Sequence, residues 1–282
     1  MRAVLFPTLE EDRGYGSRSG IVGLWMKNFS TWQHLVDKLM IDFNHDDHGT
    51  ALTRMVRACP HEYIMFVEED GIIIDPTFVD QCFKWVESGE YDAVGSPRGC
   101  IDPEMINAAE AHFGSSYENL ARGHGFALWP NFFFCKKSDL LKTDLNFNAF
   151  LFKEGVHLPE INYTPPKDMR GDTMVWMSMQ LRSLGLRIKE VEQHHGNPID
   201  LEQFKNRTGL FKDPIPWIHF GSFSGNFGPA VDANTSKEYE RRLMWMELAG
   251  IPMDHLVQEY GYDRDRIEAM KHMYKQLLKE AI

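Results

Sequence analysis

Three carboxylates in a row, Glu68, Glu69 and Asp70, close the apolar run "YIMFVEEDG" at 63–71. Adjacent acids repel one another, so they are stable only in open water or against a cation. A solvated turn is the ordinary setting for such a cluster. Here, however, the triplet stands between an apolar strand and a well-capped helix, with "GIII" as the sole connector. That position favours a divalent cation. Carboxylate oxygens suit Mg²⁺ or Mn²⁺, and Mn²⁺ also accepts an imidazole. Other polar stretches are read more plainly. "HDDH" at 45–48 follows a strand, where neighbouring side chains cannot all converge on one ion, and is read as a solvated loop. "RGYGSRSG" misses both the dinucleotide and the P-loop glycine spacing. "EQHHGN" at 192–197 reads as an exposed histidine pair. "GHGFALW" at 123–129 joins small residues that admit a sugar ring to Trp129, which could stack on one.

These residues need elements to position them. "AVLFP" (3–7), "KLMIDF" (38–43), "YIMFV" (63–67) and "YDAVGS" (91–96) read as strands. Helical stretches separate them, in "IVGLWMKNFSTWQHLV", "HGTALTRMVRACP" and the segment opened by Asp75 and Pro76. In that last helix Phe78, Val79, Cys82, Phe83 and Val86 form one apolar stripe. The β-α-β repeat predicts a mostly parallel sheet with helices on both faces. "FALWPNFFFCKKSDLL" reads as a further strand, and 143–170 as a long irregular excursion. "GDTMVWMSMQLRSLG" reads as a helix with Met174, Met177, Leu181 and Leu184 on one face and Gly185 as its stop. "LRIKEVEQ" returns as a strand. Two helices follow beyond about residue 235, in "SKEYERRLMWMELAG" and "DRDRIEAMKHMYKQLLKEAI".

The 282 residues are 43% hydrophobic and 12% aromatic, enough for a large core and against disorder. The net charge of -11 argues against general attraction to nucleic acid or anionic lipid. Lys136, Lys137, Arg241 and Arg242 could still assemble a local basic patch. Cys59, Cys82, Cys100 and Cys135 form no C-x-x-C pair, so free thiols are expected. No signal peptide and no apolar stretch of the roughly 20 residues that span a bilayer is found. The expectation is a soluble, cytoplasmic protein without membrane attachment.

The order of segments resembles the GT-A glycosyltransferases, the nucleotide-diphospho-sugar transferase fold. "KLMIDFNHDDHGTALTRMV" is similar to the family's second strand with its terminal acid and turn. "YIMFVEEDGIIIDPTFV" resembles the strand ending in the metal-binding D-x-D or E-D-D motif. "FFFCKKSDLL" resembles an internal strand running into a basic pair, and "GDTMVWMSMQLRSLGLRIKEVE" the late acidic motif, helix and returning strand. The resemblance spans about residues 3 to 195 and implies a three-layer α/β/α fold. It implies a GT-A-like domain over 1–233 and a C-terminal helical appendage over 234–282.

The resemblance also implies roles. Asp70 would be the main metal ligand, with Glu68 on the metal through water or on the donor's ribose. Asp42 would lie near the donor's base or ribose, and Glu69, Trp129 and Gly221 complete the donor contacts. Asp172 would match the acid that, in inverting members, takes the acceptor hydroxyl's proton; "G-D-T" before a helix is equally a good N-cap. "PWIHFGSFSGN" at 216–226 is similar to the "H-F-x-G" stretch of glycogenin-like retaining members, whose histidine completes the metal shell. His219 would be that histidine, and Gly221 and Gly225 would let backbone approach phosphate. The usual "K-P-W" is absent, leaving Lys212, Arg170 or Arg18 to neutralise the leaving diphosphate. The function implied is a metal-dependent transfer of a sugar from a nucleoside-diphosphate sugar, a UDP-sugar foremost, to a hydroxyl acceptor. A nucleotidyltransferase of the same fold, and a non-catalytic domain binding a sugar or a partner, are the alternatives. The acceptor is left open among a protein, a glycan, a small molecule and a modified nucleic-acid base. The C-terminal helices are the expected acceptor or homodimer surface.

Overall fold

The run "AVLF" is apolar at every position, which suits a strand covered on both faces. It forms the middle of β1 (Arg2–Pro7), in which Ala3, Val4, Leu5 and Phe6 are wholly buried. The computed structural model describes residues 1–8, 18–43, 47–68, 71–73, 75–97, 103–114, 127–191, 217–219 and 264–265. The further strands of the main sheet are β2 (Lys38–Asp42), β3 (Tyr63–Val67), β5 (Ala93–Pro97), β6 (Leu128–Lys136) and β9 (Ile188–Glu190). Their order is β2-β1-β3-β6-β5-β9. β6 runs antiparallel to both neighbours, and the remaining pairs are parallel. The expected fold class, an α/β architecture around a mostly parallel sheet, is what the chain has.

Both sheet faces are covered by helices, as the β-α-β pattern requires. On one face Leu5, Ile64, Phe66, Phe133 and Cys135 pack with α2 (His48–Ala58) and α6 (Val175–Ser183), through Leu52, Met55, Met177 and Leu181. On the other, Phe83 of α3 (Pro76–Glu87) meets Phe134 edge-on at 5.0 Å. Each phenylalanine so buried stabilises the fold by about 1.5–3 kcal/mol. Arg2 ties β1 to α3: its guanidinium donates to Asp80 at 2.7 Å and to both oxygens of Glu87 at 2.7 and 2.8 Å. These pairs raise the Arg2 pKa further, while Lys84 and then Arg2 hold Asp80 below its ordinary value. Cys82 and Cys135 are free and buried, and burial pushes both thiols well up, so neither serves as a nucleophile.

The chain divides into two compact units. The first comprises Met1–Thr8, His34–Glu68 and Val79–Gln193, and it holds the main sheet. The second comprises Leu9–Gln33, Glu69–Phe78 and His194–Ile282. In the second, β4 (Gly71–Ile73) pairs antiparallel with β10 (Trp217–His219). The helix expected in "IVGLWMKNFSTWQHLV" is α1 (Arg18–Trp32), which gives way to a 3-10 turn at Gln33–Leu35; its Trp25, Phe29 and Trp32 interlock at ring distances of 4.7 to 6.2 Å. Asn28 on α1 brackets Ile73, donating to its carbonyl at 2.7 Å and accepting from its N–H at 3.0 Å.

Several local expectations are corrected. "GIII" is not merely a connector, because Gly71–Ile73 is a strand whose partner lies some 145 residues away (roughly, by the register, and beyond any local pattern). The irregular excursion contains a hairpin-like pair, β7 (Phe150–Phe152) with β8 (Met169–Gly171). A helix not read in the sequence, α4, spans Pro103–Phe113. α6 begins at Val175, later than expected, and Leu184 is 43% exposed instead of sharing the buried stripe of Met174, Met177 and Leu181. Of the helices expected over 234–282, only Arg264 and Asp265 are described, and both are helical.

Candidate active site at the carboxyl edge of the sheet

In an open α/β sheet the crevice for a ligand opens where the chain order reverses, outside the carboxyl ends of the strands. The reversal here lies at β1, with β2 on one side and β3 on the other. Thr8, Asp42 and Glu68 stand at the three carboxyl ends. Thr8 is buried and its N–H donates to the Asp42 carbonyl at 3.0 Å, extending the β1–β2 ladder to the rim.

Asp42 is 8% exposed, and its Oδ2 accepts from Arg54 Nε at 2.9 Å and Nη2 at 2.7 Å. Arg54 reaches it from α2, which follows β2 directly. A two-pronged guanidinium contact fixes a carboxylate in orientation as well as charge. Asp42 therefore stands at the rim as half of an ion pair.

Glu68 follows β3, with a side chain 16% exposed. Its Oε2 accepts from Trp129 Nε1 at 2.9 Å, and its Oε1 lies 3.5 Å from His48 Nδ1. Both carboxylate oxygens are thus engaged by protein groups. Trp129, expected to stack on a sugar, spends its N–H on orienting Glu68. The contact arises because β6 is antiparallel to β3, with Val67 opposite Phe132. Nothing local in the sequence signals a pair 61 residues apart. His48, set aside with the "HDDH" turn, heads α2, where Asp47 caps the helix by accepting from Gly49 N–H. Gly49 is required there, since a Cβ would come within 2.5 Å of Asn148 Cα.

Asp172 is exposed between β8 and α6. Its Oδ1 accepts from Thr173 N–H at 2.8 Å, and its carbonyl from Val175 N–H at 3.1 Å. The side-chain cap expected of it is not made, because the N-cap position belongs to Met174, which has φ 72° and no capping side-chain bond. Gly171 just before it allows a tight approach, since a Cβ there would lie 2.7 Å from Phe152. His219 ends β10, in register with Gly71, the residue after Asp70. Glu69, Asp70 and Gly221 lie outside the described residues, as do Lys212, Arg241 and Arg242. Arg170 is exposed in β8. β6 runs into the basic pair as the resemblance implied, and Lys136 is opposite Tyr63, at the start of β3, so it stands at the far end of the sheet from Glu68. Lys137 Nζ there donates to the Cys59 and Arg57 carbonyls at the end of α2.

Among the described residues no three His, Cys, Asp or Glu side chains cluster as a metal site, and no helix is long and apolar enough to cross a membrane.

No protein-family model and no curated protein sequence matches the chain. Solved structures similar to it include glucosyl-3-phosphoglycerate synthase from Mycobacterium tuberculosis, in complex with Mn²⁺, uridine-diphosphate-glucose and phosphoglyceric acid. That match has 14% identity and a TM-score of 0.39, over 89% of this chain and 80% of that one. In the complex with Mn²⁺ and uridine-diphosphate-glucose alone, the match spans 51% of this chain and 58% of that one, with 16% identity and a TM-score of 0.37. A197 from STIV is similar over 68% of this chain and 82% of its own, at 14% identity and a TM-score of 0.36.

Proposed function

We propose that the protein is a metal-dependent glycosyltransferase that moves a sugar from a nucleoside-diphosphate sugar, a UDP-sugar foremost, to a hydroxyl acceptor. The observation that carries the reading is the β4–β10 ladder, in which His219 is opposite Gly71. A histidine nearly 150 residues downstream thus shares a two-stranded ladder with the residue following the acid triplet (about that, counted along the register, a span that no local motif enforces). Asp70, beside Gly71 in the sequence, and His219 would supply carboxylate oxygen and imidazole nitrogen, a combination that Mn²⁺ accepts.

Asp70 and His219 would hold the ion. Glu68, already oriented by Trp129 and His48, would accept a hydrogen bond from the donor or from the ion's water. When bound, a divalent ion neutralises the charge gathering on a departing diphosphate. The protein's own part is orientation and proton transfer. The bond from the sugar's anomeric carbon to the diphosphate oxygen breaks, the acceptor oxygen bonds to that carbon, and the acceptor's proton passes to Asp172. Its exposed carboxylate suits a base that must meet a separate acceptor. Asp42 with Arg54 would face the base or ribose. The transferase domain would occupy 1–233, and 234–282 would form the surface for the acceptor or a second copy.

The test is thermal denaturation with UDP, with and without Mn²⁺. A melting-point rise that needs both, and that Asp70→Ala abolishes, is expected. A larger rise with UTP than with UDP would point to nucleotidyl transfer. Absence of any rise with nucleotide and metal would remove the enzymatic reading.

A further inference from the structure

We infer that Asn131 reads the sugar of the donor, its carboxamide taking two neighbouring hydroxyls; the inference rests on the transferase reading above. Asn131 is wholly buried in β6, yet neither its Oδ1 nor its Nδ2 has a hydrogen-bond partner. A buried amide left unmet destabilises the folded state. Asparagine is also a poor strand former, and this one precedes the buried run Phe132, Phe133 and Phe134. An apolar side chain of its size would suit the free protein better. A polar group retained against the interest of the free fold points to a partner in a bound state.

Its position says which bound state. The β3–β6 ladder ends with Val67 opposite Phe132. One step further, Glu68 follows on one strand and Asn131 on the other. Two residues before Asn131 is Trp129, whose N–H holds Glu68. Asn131 thus belongs to the same rim as Glu68, on the side of β3 away from β1 and β2, where Asp42 stands. With the base toward Asp42 and the diphosphate past β3, the β6 side is left for the sugar. Ser96, near the carboxyl end of neighbouring β5, is also wholly buried, and its Oγ has no hydrogen-bond partner.

The chemistry narrows the ligand further. A carboxamide offers one acceptor and two donors. A phosphate would satisfy only the NH₂ side, and a cation only the oxygen. Two adjacent hydroxyls satisfy both, one donating to Oδ1 and the other accepting from Nδ2.

The experiment is a thermal-shift comparison of the full chain and Asn131→Leu, each with Mn²⁺ plus UDP and with Mn²⁺ plus UDP-glucose or UDP-galactose. The wild type is expected to gain a further shift from a sugar nucleotide beyond that from UDP. Asn131→Leu is expected to melt higher than wild type without ligand, to keep the UDP shift, and to lose the sugar increment. Asn131→Ala serves if the leucine variant does not fold, with the same loss of increment expected. A variant that keeps the increment overturns the inference. So does a wild type that responds to UDP but gains nothing from either sugar, which leaves the transferase reading standing. A wild type that responds to neither removes that reading and the inference with it.

Discussion

Replacing Trp129 by phenylalanine keeps a large apolar ring in β6 and deletes the indole N–H that meets Glu68 Oε2 at 2.9 Å. A part-buried hydrogen bond to a charged group stabilises by about 1.5–3 kcal/mol. The smaller ring adds its own packing loss, so the single variant alone cannot measure the bond. A double-mutant cycle with Glu68→Ala isolates it. The coupling energy expected is about 1–2 kcal/mol, at the lower end because the Glu68 side chain retains 16% exposure. For a domain of this size that corresponds to roughly 2–4 °C in melting temperature per kcal/mol. Urea denaturation followed by far-UV circular dichroism suits the assay, because indole fluorescence changes with the substitution itself. A coupling below about 0.3 kcal/mol would refute the claim that Trp129 orients Glu68, since that is the scatter expected of independent sites.

Gly49→Ala forces a methyl group against the Asn148 backbone and must displace the turn at 146–148 or the start of α2. A loss of about 2–4 kcal/mol is expected, in the range of overpacking with backbone shift, and a change under about 0.5 kcal/mol in urea denaturation would contradict the close approach. Asp80 has a folded-state pKa held below its ordinary value by Lys84 and then Arg2. Its contribution is therefore present above the unfolded carboxyl value and is lost as pH falls through that value toward the depressed one. The stability difference between wild type and Asp80→Asn is expected to be steady from about pH 7 to 5 and to shrink as pH drops from about 4 toward 2. A difference that grows on acidification would reverse the assigned sign.

What the sequence determined by itself is what local pattern encodes. Runs apolar on every position, as in "AVLF" and "YIMF", specify buried strands, and the stripe through Val79, Cys82, Phe83 and Val86 specifies the helix face that lands on the sheet. The alternation of the two fixes the fold class, and the acids after β3 mark the rim, because a polar cluster ends an apolar run only where the chain leaves the core. Tertiary structure decided the partners. Trp129 meets Glu68 only because β6 enters antiparallel beside β3, and His219 meets the register of Gly71 only because β10 returns to a three-residue strand that reads as a connector. Lys136 and Lys137, read only as a possible basic patch, stand at the opposite end, since the direction of β6 reverses which terminus reaches the rim. Strand direction and pairing are set by the lowest free energy of the whole sheet, summed over residues far apart in the chain, so no window of the sequence contains them.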